Sequence, residues 1–213
     1  MSNGLARSAK LSPAELKDDV IVVLLADESG SMNDVKEVTC NSINEYVGEL
    51  QSGSSINFSL GTFSSTVEWL VTEESVDAVL PLDPSQYAPN GTTCLYDAIG
   101  EAIDRIENMG VPPVYPVVVV FTDGKDFGSL RYSSETLGPV IAECRGRGWR
   151  FIAFIVGDEA RGSIESVGFL EGDVAEYDGD DKSTKAAFKK LAASTKRFVE
   201  AVEMKALPSA RFL

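Results

Sequence analysis

Val22-Val23-Leu24-Leu25-Ala26-Asp27-Glu28-Ser29-Gly30-Ser31-Met32 is the stretch that decides the fold. Residues 22–26 are consecutively apolar with β-branched members, which fits a strand buried on both faces, as in a parallel sheet. Beyond Met32 the apolar positions Val35, Val38, Ile43, Tyr46, Val47 and Leu50 recur at spacings near three and four, the period of a helix. Asp27, Ser29 and Ser31 therefore fall on a strand-to-helix loop, at the carboxyl end of a buried strand. Open α/β sheets bind their ligands at that edge. Three oxygen side chains at alternating positions there could converge on one hard cation. The same residues also read as purely local structure. Ser31 followed three residues on by Asp34 resembles a capping box, Asp27 suits an Asx turn, and Gly30 suits a positive φ. Only distant parts of the chain separate the two readings.

A second all-apolar strand, Val117-Val118-Val119-Val120-Phe121, ends in Thr122-Asp123-Gly124. Between the two strands lies Asn90-Gly91-Thr92-Thr93, directly ahead of the helical pattern Leu95, Ile99, Ala102, Ile103, Ile106. Asp-x-Ser-x-Ser after a first strand, a threonine before a middle helix and Thr-Asp-Gly after a central strand resemble the von Willebrand factor A (vWA) domain. In that family they form the metal ion-dependent adhesion site (MIDAS). The resemblance covers residues 19–203. It implies a doubly wound, mostly parallel sheet with one antiparallel edge strand and helices on both faces, a Rossmann-like α/β architecture. It further implies that Ser29, Ser31 and Thr93 ligate a divalent cation directly, while Asp27 and Asp123 bind it directly or through water. The ion expected is Mg2+ (or Mn2+ or Ca2+), with one position open to an Asp or Glu carboxylate of a protein partner. Thr92 competes with Thr93 for the threonine role. Family members place the ligand six residues before the isoleucine of the next helix, here Ile99, which favours Thr93. Thr93 also reads as a simple helix cap.

The whole chain has 213 residues, 44% of them hydrophobic and 24% charged, within the range of a single α/β domain. A net charge of −14 with no histidine argues against a nucleic-acid-binding surface. Cys40, Cys94 and Cys144 are odd in number and widely spaced, so they read as reduced thiols, with Cys40 and Cys144 as small core residues. No apolar run reaches the length of a membrane span, and the first residues lack the apolar core of a signal peptide. The expectation is a cytoplasmic protein without membrane contact. Within the resembled family that points to the intracellular bacterial type, similar to tellurite-resistance-associated and stress-operon vWA proteins with kinase, phosphatase or ATPase partners.

In chain order, residues 1–18 read as an arm, with one helical turn suggested by Ser12-Pro13-Ala14-Glu15. Residues 19–203 form the domain and 204–213 a tail. The first helix is expected over 32–51, then a hairpin of 56–60 and 66–71 whose second strand is an antiparallel edge. A short helix around 75–80 leads to a Pro- and Asn-Gly-containing loop over 81–91. After the middle helix and central strand, a helix capped by Ser133 or Ser134 runs to Arg147, with Gly148 as its stop. A strand over 151–156, a short helix over 164–168, a strand over 174–177 and a final helix over 184–203 complete the fold. The last helix points Phe188, Leu191, Ala192, Phe198 and Val202 inward. Lys182, Lys185, Lys189, Lys190 and Lys196 form its solvated face.

The chemistry expected is binding rather than catalysis. No histidine is present to serve as general base, and the phosphate-loop and Gly-x-Ser-x-Gly motifs are missing. Cys94 beside the site has no base next to it. A magnesium-dependent phosphohydrolase, the enzyme alternative, would need a second aspartate where Ser29 stands. A structural subunit with a vestigial site is the other alternative. Around the site, Tyr87, Phe127, Leu130 and Tyr132 fit no helix or strand core pattern. They are candidates for the partner-binding rim, or else fold under as a satellite cluster.

Overall fold

In the computed structural model, which describes residues 20–51, 55–109 and 115–204, the opening apolar run becomes β1 (Val20–Asp27), buried at every position. Val20, Val22, Leu24 and Ala26 enter one core, while Ile21, Val23 and Leu25 enter the other. A pleated strand sends successive side chains to opposite faces, so a strand covered on both sides tolerates no polar alternation. After β1 come α1 (Lys36–Leu50), β2 (Ile56–Phe63), β3 (Val67–Ser75) and α2 (Leu95–Asn108). The second half comprises β4 (Tyr115–Thr122), α3 (Ser134–Gly146), β5 (Arg150–Ile155), α4 (Gly157–Ser166), β6 (Val174–Glu176) and α5 (Asp181–Glu203).

The sheet order is β3-β2-β1-β4-β5-β6, parallel throughout except for β3 against β2. This is the doubly wound architecture with one antiparallel edge expected from the sequence. α1 and α5 pack on one face, and α2, α3 and α4 on the other. In α5 the five residues expected inward are all buried. Its lysines are exposed apart from Lys196, which is half-buried and paired with Glu49 at 3.1 Å. Cys40, Cys94 and Cys144 are free, buried thiols.

The departures from the sequence reading are local. The first helix opens as a 3-10 turn (Gly30–Val35), and no side chain caps it. The Ser29 and Ser31 hydroxyls are committed elsewhere, which leaves the first turn to tighten on its own backbone. The helix expected near residue 75 shrinks to a 3-10 turn, Val76–Ala78. Side-chain amides do the work of a helix there. Gln51 donates to the carbonyls of Val76 and Val79 at 3.0 and 2.8 Å, and Asn44 brackets both backbone groups of Leu82. α4 starts at Gly157, directly after β5, rather than near Ile164, with Asp158 and Glu159 in the first turn where a helix favours negative charge. α5 begins earlier than expected, because Asp180 accepts the Ser183 N–H as its cap. The arm over 1–18 with its Ser12–Glu15 turn, and the tail beyond Met204, lie outside the described residues.

Candidate metal centre

β1 and β4 lie side by side in parallel register with Ala26 opposite Phe121. Asp27 and the Thr122-Asp123 pair therefore leave the sheet together at its carboxyl edge. The loop leading to α2 is fastened to the same edge by backbone bonds. Glu28 N–H donates to Phe63 O at 2.7 Å, Asn90 N–H to Glu28 O at 2.8 Å, and Gly30 N–H to Gly91 O at 3.2 Å. Cys94 N–H reaches Ser64 O at 2.7 Å. Gly91 sits at φ +81°, a conformation that favours glycine. Three segments far apart in sequence are thus laced into one platform.

On that platform Asp27 Oδ1 accepts the Ser29 N–H at 2.8 Å, and Oδ2 accepts the Thr122 hydroxyl. The Asx turn is real, and it aims the serines. Ser29 and Ser31 hydroxyls share a 3.1 Å hydrogen bond, and Ser31 Oγ donates to Asp123 Oδ1 at 2.7 Å. Thr93 is buried beside them. A β-carbon added at Gly124 would lie 3.1 Å from Thr93 Oγ1 and 3.7 Å from Asp27 Oδ2, so the glycine backbone packs closely against both. Thr92 turns away, with its amide and hydroxyl both bonded to Ser65 Oγ at 3.1 Å. The structure therefore brings Asp27, Ser29, Ser31, Thr93 and Asp123 to one place and leaves Thr92 out.

Burial pushes the Asp27 carboxyl up to about 6 from an ordinary 3.8. Hydrogen bonds from Ser29 and Thr122 pull it back, and the charge of Asp123 adds to the rise. The groups holding this buried carboxylate are neutral, so its desolvation is not offset by a counter-charge. Among the described residues no cluster of three or more His, Cys, Asp or Glu side chains could hold a metal. The donor set here is different, two carboxylates with three hydroxyls. All-oxygen donors with two negative charges fit a small hard divalent ion that keeps several of its waters.

The sequence model of the von Willebrand factor type A domain matches residues 21–169. The chain belongs to that family. Such domains are generally protein-interaction modules rather than enzymes. No curated protein matches the sequence. Among solved structures, a von Willebrand factor type A protein from Catenulispora acidiphila superposes with a TM-score of 0.59 at 15% identity, covering 83% of this chain and 42% of that one. The PilB minor pilin from Streptococcus sanguinis gives 0.64 at 12% identity, covering 89% and 63%. Manganese-loaded TRAP protein of Plasmodium vivax gives 0.56 at 20% identity, covering 80% and 73%. At these identities the likeness is one of fold, and the chain spans less than two thirds of the first two proteins.

The rim of this vWA domain corrects two expectations. Tyr87 is fully buried, and its hydroxyl donates to the Asp27 carbonyl. It supports the site from beneath and is absent from the surface, because the ring gains more from the core than from water and its hydroxyl finds a buried acceptor. Tyr132 is half-buried against α2, its hydroxyl donating to Asp104 at 2.9 Å. It fills space that exists because position 100 is glycine, where a β-carbon would meet the ring at 2.3 Å. Phe127 and Leu130 do stand out, 75% and 95% exposed. Their loop is nonetheless tied down. Asp97 accepts the N–H groups of Leu130, Arg131 and Tyr132, each at 2.9 Å. Phe127 and Gly128 N–H groups bond Thr93 O at 2.9 and 3.1 Å. The acids beside the site are occupied as well. Glu28 accepts the Ala88 N–H, while Asp126 accepts from Tyr96 N–H and the Ser129 hydroxyl. Burial, reinforced by Asp97, pushes the Cys94 thiol up to about 12, so it stays protonated and is a poor nucleophile. Sequence reasoning missed Asp97 and Thr122 as supports; the signal available was an aspartate in the first turn of α2 and the threonine of Thr-Asp-Gly.

Proposed function

We propose that this domain is a metal-dependent protein-interaction module, in which Asp27, Ser29, Ser31, Thr93 and Asp123 hold one Mg2+ or Mn2+ ion. The observation that carries this is the hydrogen-bonded chain from the Thr122 hydroxyl through the Asp27 carboxylate to the Ser29 backbone N–H, and from the Ser29 and Ser31 hydroxyls to Asp123, with Thr93 beside it. The bound ion would supply a Lewis-acidic anchor for a carboxylate of a protein partner. Ser29 and Ser31 would contribute neutral oxygens, and the two aspartates would balance the charge. A vWA-fold protein can carry manganese, as the TRAP structure does.

An open coordination position discriminates little, since any exposed carboxylate can fill it. Specificity would come from the rim, where Phe127 and Leu130 are large, apolar and held on a clamped loop. A pre-ordered anchor loses little entropy on binding. The partner that fits presents an Asp or Glu beside an apolar recess. The three buried free thiols suit a reducing cytoplasm. Hydrolytic chemistry is not proposed, because Ser29 occupies the position where a phosphohydrolase of this type needs an acid.

The test is affinity capture with the wild-type domain and with Asp123→Ala as bait, each in magnesium and in EDTA. The expected result is a protein retained by the wild type in magnesium alone. Equal retention in EDTA, or by Asp123→Ala, contradicts the proposal.

A further inference from the structure

Tyr177 immediately follows β6, with its N–H bonded to Ile155 O at 3.0 Å at the same carboxyl edge as the metal centre. Its ring stacks on Phe121, centroids 4.7 Å apart and planes at 23°. Phe121 is the residue before Thr122-Asp123, so the phenol is fixed beside the segment that delivers two of the site's groups. The side chain is only 7% exposed, yet its hydroxyl has no hydrogen-bond partner. The other buried phenols differ. Tyr46 bonds Thr195 Oγ1 at 3.2 Å, and Tyr87 donates to the Asp27 carbonyl. A buried polar group without a partner destabilises the fold, so one kept at a site's edge asks for an explanation.

Burial raises the phenol above its ordinary value, and the charges of Asp123 and, more weakly, Asp27 add to the rise. Tyr177 therefore lies within the field of both carboxylates without bonding either. A water carried by a bound ion would bridge that separation. Small hard cations keep several waters when bound to protein oxygens, and those waters need acceptors and donors around them.

We propose that the Tyr177 hydroxyl is a positioning group for the bound ion's solvent on the Asp123 side of the site. The inference rests on the metal-binding reading given above. It assigns a role to the connection between β6 and α5, which supplies none of the five ligand candidates. The three groups that frame this solvent would be Asp123, the Asp27 carboxylate and the Tyr177 phenol.

The experiment uses Mn2+ and Mg2+ alone as probes, titrated calorimetrically into the wild type, Tyr177→Phe and Tyr87→Phe, with melting in EDTA measured for each. Tyr177→Phe removes a hydroxyl that bonds no protein group. It should melt in EDTA at or above the wild-type temperature, while its cation affinity falls about tenfold, the lower end for groups that support metal ligands indirectly. Tyr87→Phe breaks an existing bond and should melt lower in EDTA. A Tyr177→Phe protein that melts below wild type in EDTA, or binds Mn2+ as tightly, overturns the inference. If the wild type itself binds neither cation, the metal reading falls first. If it binds and Tyr177→Phe binds equally, only the role of Tyr177 falls.

Discussion

Asp27→Asn is the most informative single perturbation, because the physical argument assigns it opposite signs with and without metal. Asp27 is fully buried among neutral donors, and its carboxyl sits at about 6 rather than 3.8. Its folded value is raised, so between about pH 4 and 6 the folded state holds a proton that the unfolded chain has released. Stability of the metal-free protein therefore falls as pH rises through that window, and the loss is complete above it. A shift of this size corresponds to about 3 kcal/mol at 1.36 kcal/mol per unit. Asparagine is nearly isosteric and carries no charge, and the Thr122 hydroxyl can rotate to suit it. At pH 8 in EDTA the variant should gain up to that amount, or several degrees of melting temperature for a chain of this size. At pH 4 the two proteins should melt together. Magnesium should then stabilise the wild type by about 2.7 kcal/mol at a hundredfold excess over Kd, and the variant hardly at all. Differential scanning calorimetry at pH 4 and pH 8, with EDTA or magnesium, reads all four values. An Asp27→Asn protein that melts below wild type in EDTA at pH 8 refutes the idea that this carboxylate is buried at a cost that a cation relieves.

Phe127→Ser with Leu130→Ser should leave melting and Mn2+ affinity unchanged, since both side chains are exposed, while abolishing retention of the magnesium-dependent partner in affinity capture. Asp97→Ala removes the acceptor that holds three backbone N–H groups of the same loop; hydrogen exchange of residues 130–132 should accelerate, and unchanged exchange shows the clamp is not what orders the loop. Gly100→Ala gains about 1 kcal/mol of helix propensity but drives a methyl into the Tyr132 ring, for a net loss of about 1–3 kcal/mol in urea unfolding. With Tyr132→Ala already in place the same change should become stabilising. Cation affinity of the wild type should weaken about tenfold per unit as pH falls below about 6, because the ion must displace the Asp27 proton.

The sheet was legible because β1, β4 and β5 are buried on both faces, and a run of apolar β-formers has few other uses. The five oxygens were legible for a related reason, since each follows such a strand or precedes α2, and the topology carries those ends to one edge. The rim was not. Tyr87 and Phe127 both lie in loops among polar and small residues, and nothing local tells them apart. Tyr87 goes under because a tertiary acceptor, the Asp27 carbonyl, waits there, whereas Phe127 is held outside by backbone bonds to Thr93 and neighbouring clamps. The start of α4 escaped notice because its first turns are almost wholly polar, with only Ala160, Ser163 and Ile164 facing inward. The 3-10 opening at Gly30 goes with a Ser31 hydroxyl drawn to Asp123, 92 positions further on, rather than capping the helix.

The most direct test of the metal centre is anomalous diffraction from crystals of the wild-type protein soaked in Mn2+. The expected result is a single strong manganese peak among Ser29 Oγ, Ser31 Oγ, Thr93 Oγ1 and the Asp27 and Asp123 carboxylates. A peak elsewhere, or none at that edge of the sheet with the site open to solvent, contradicts it.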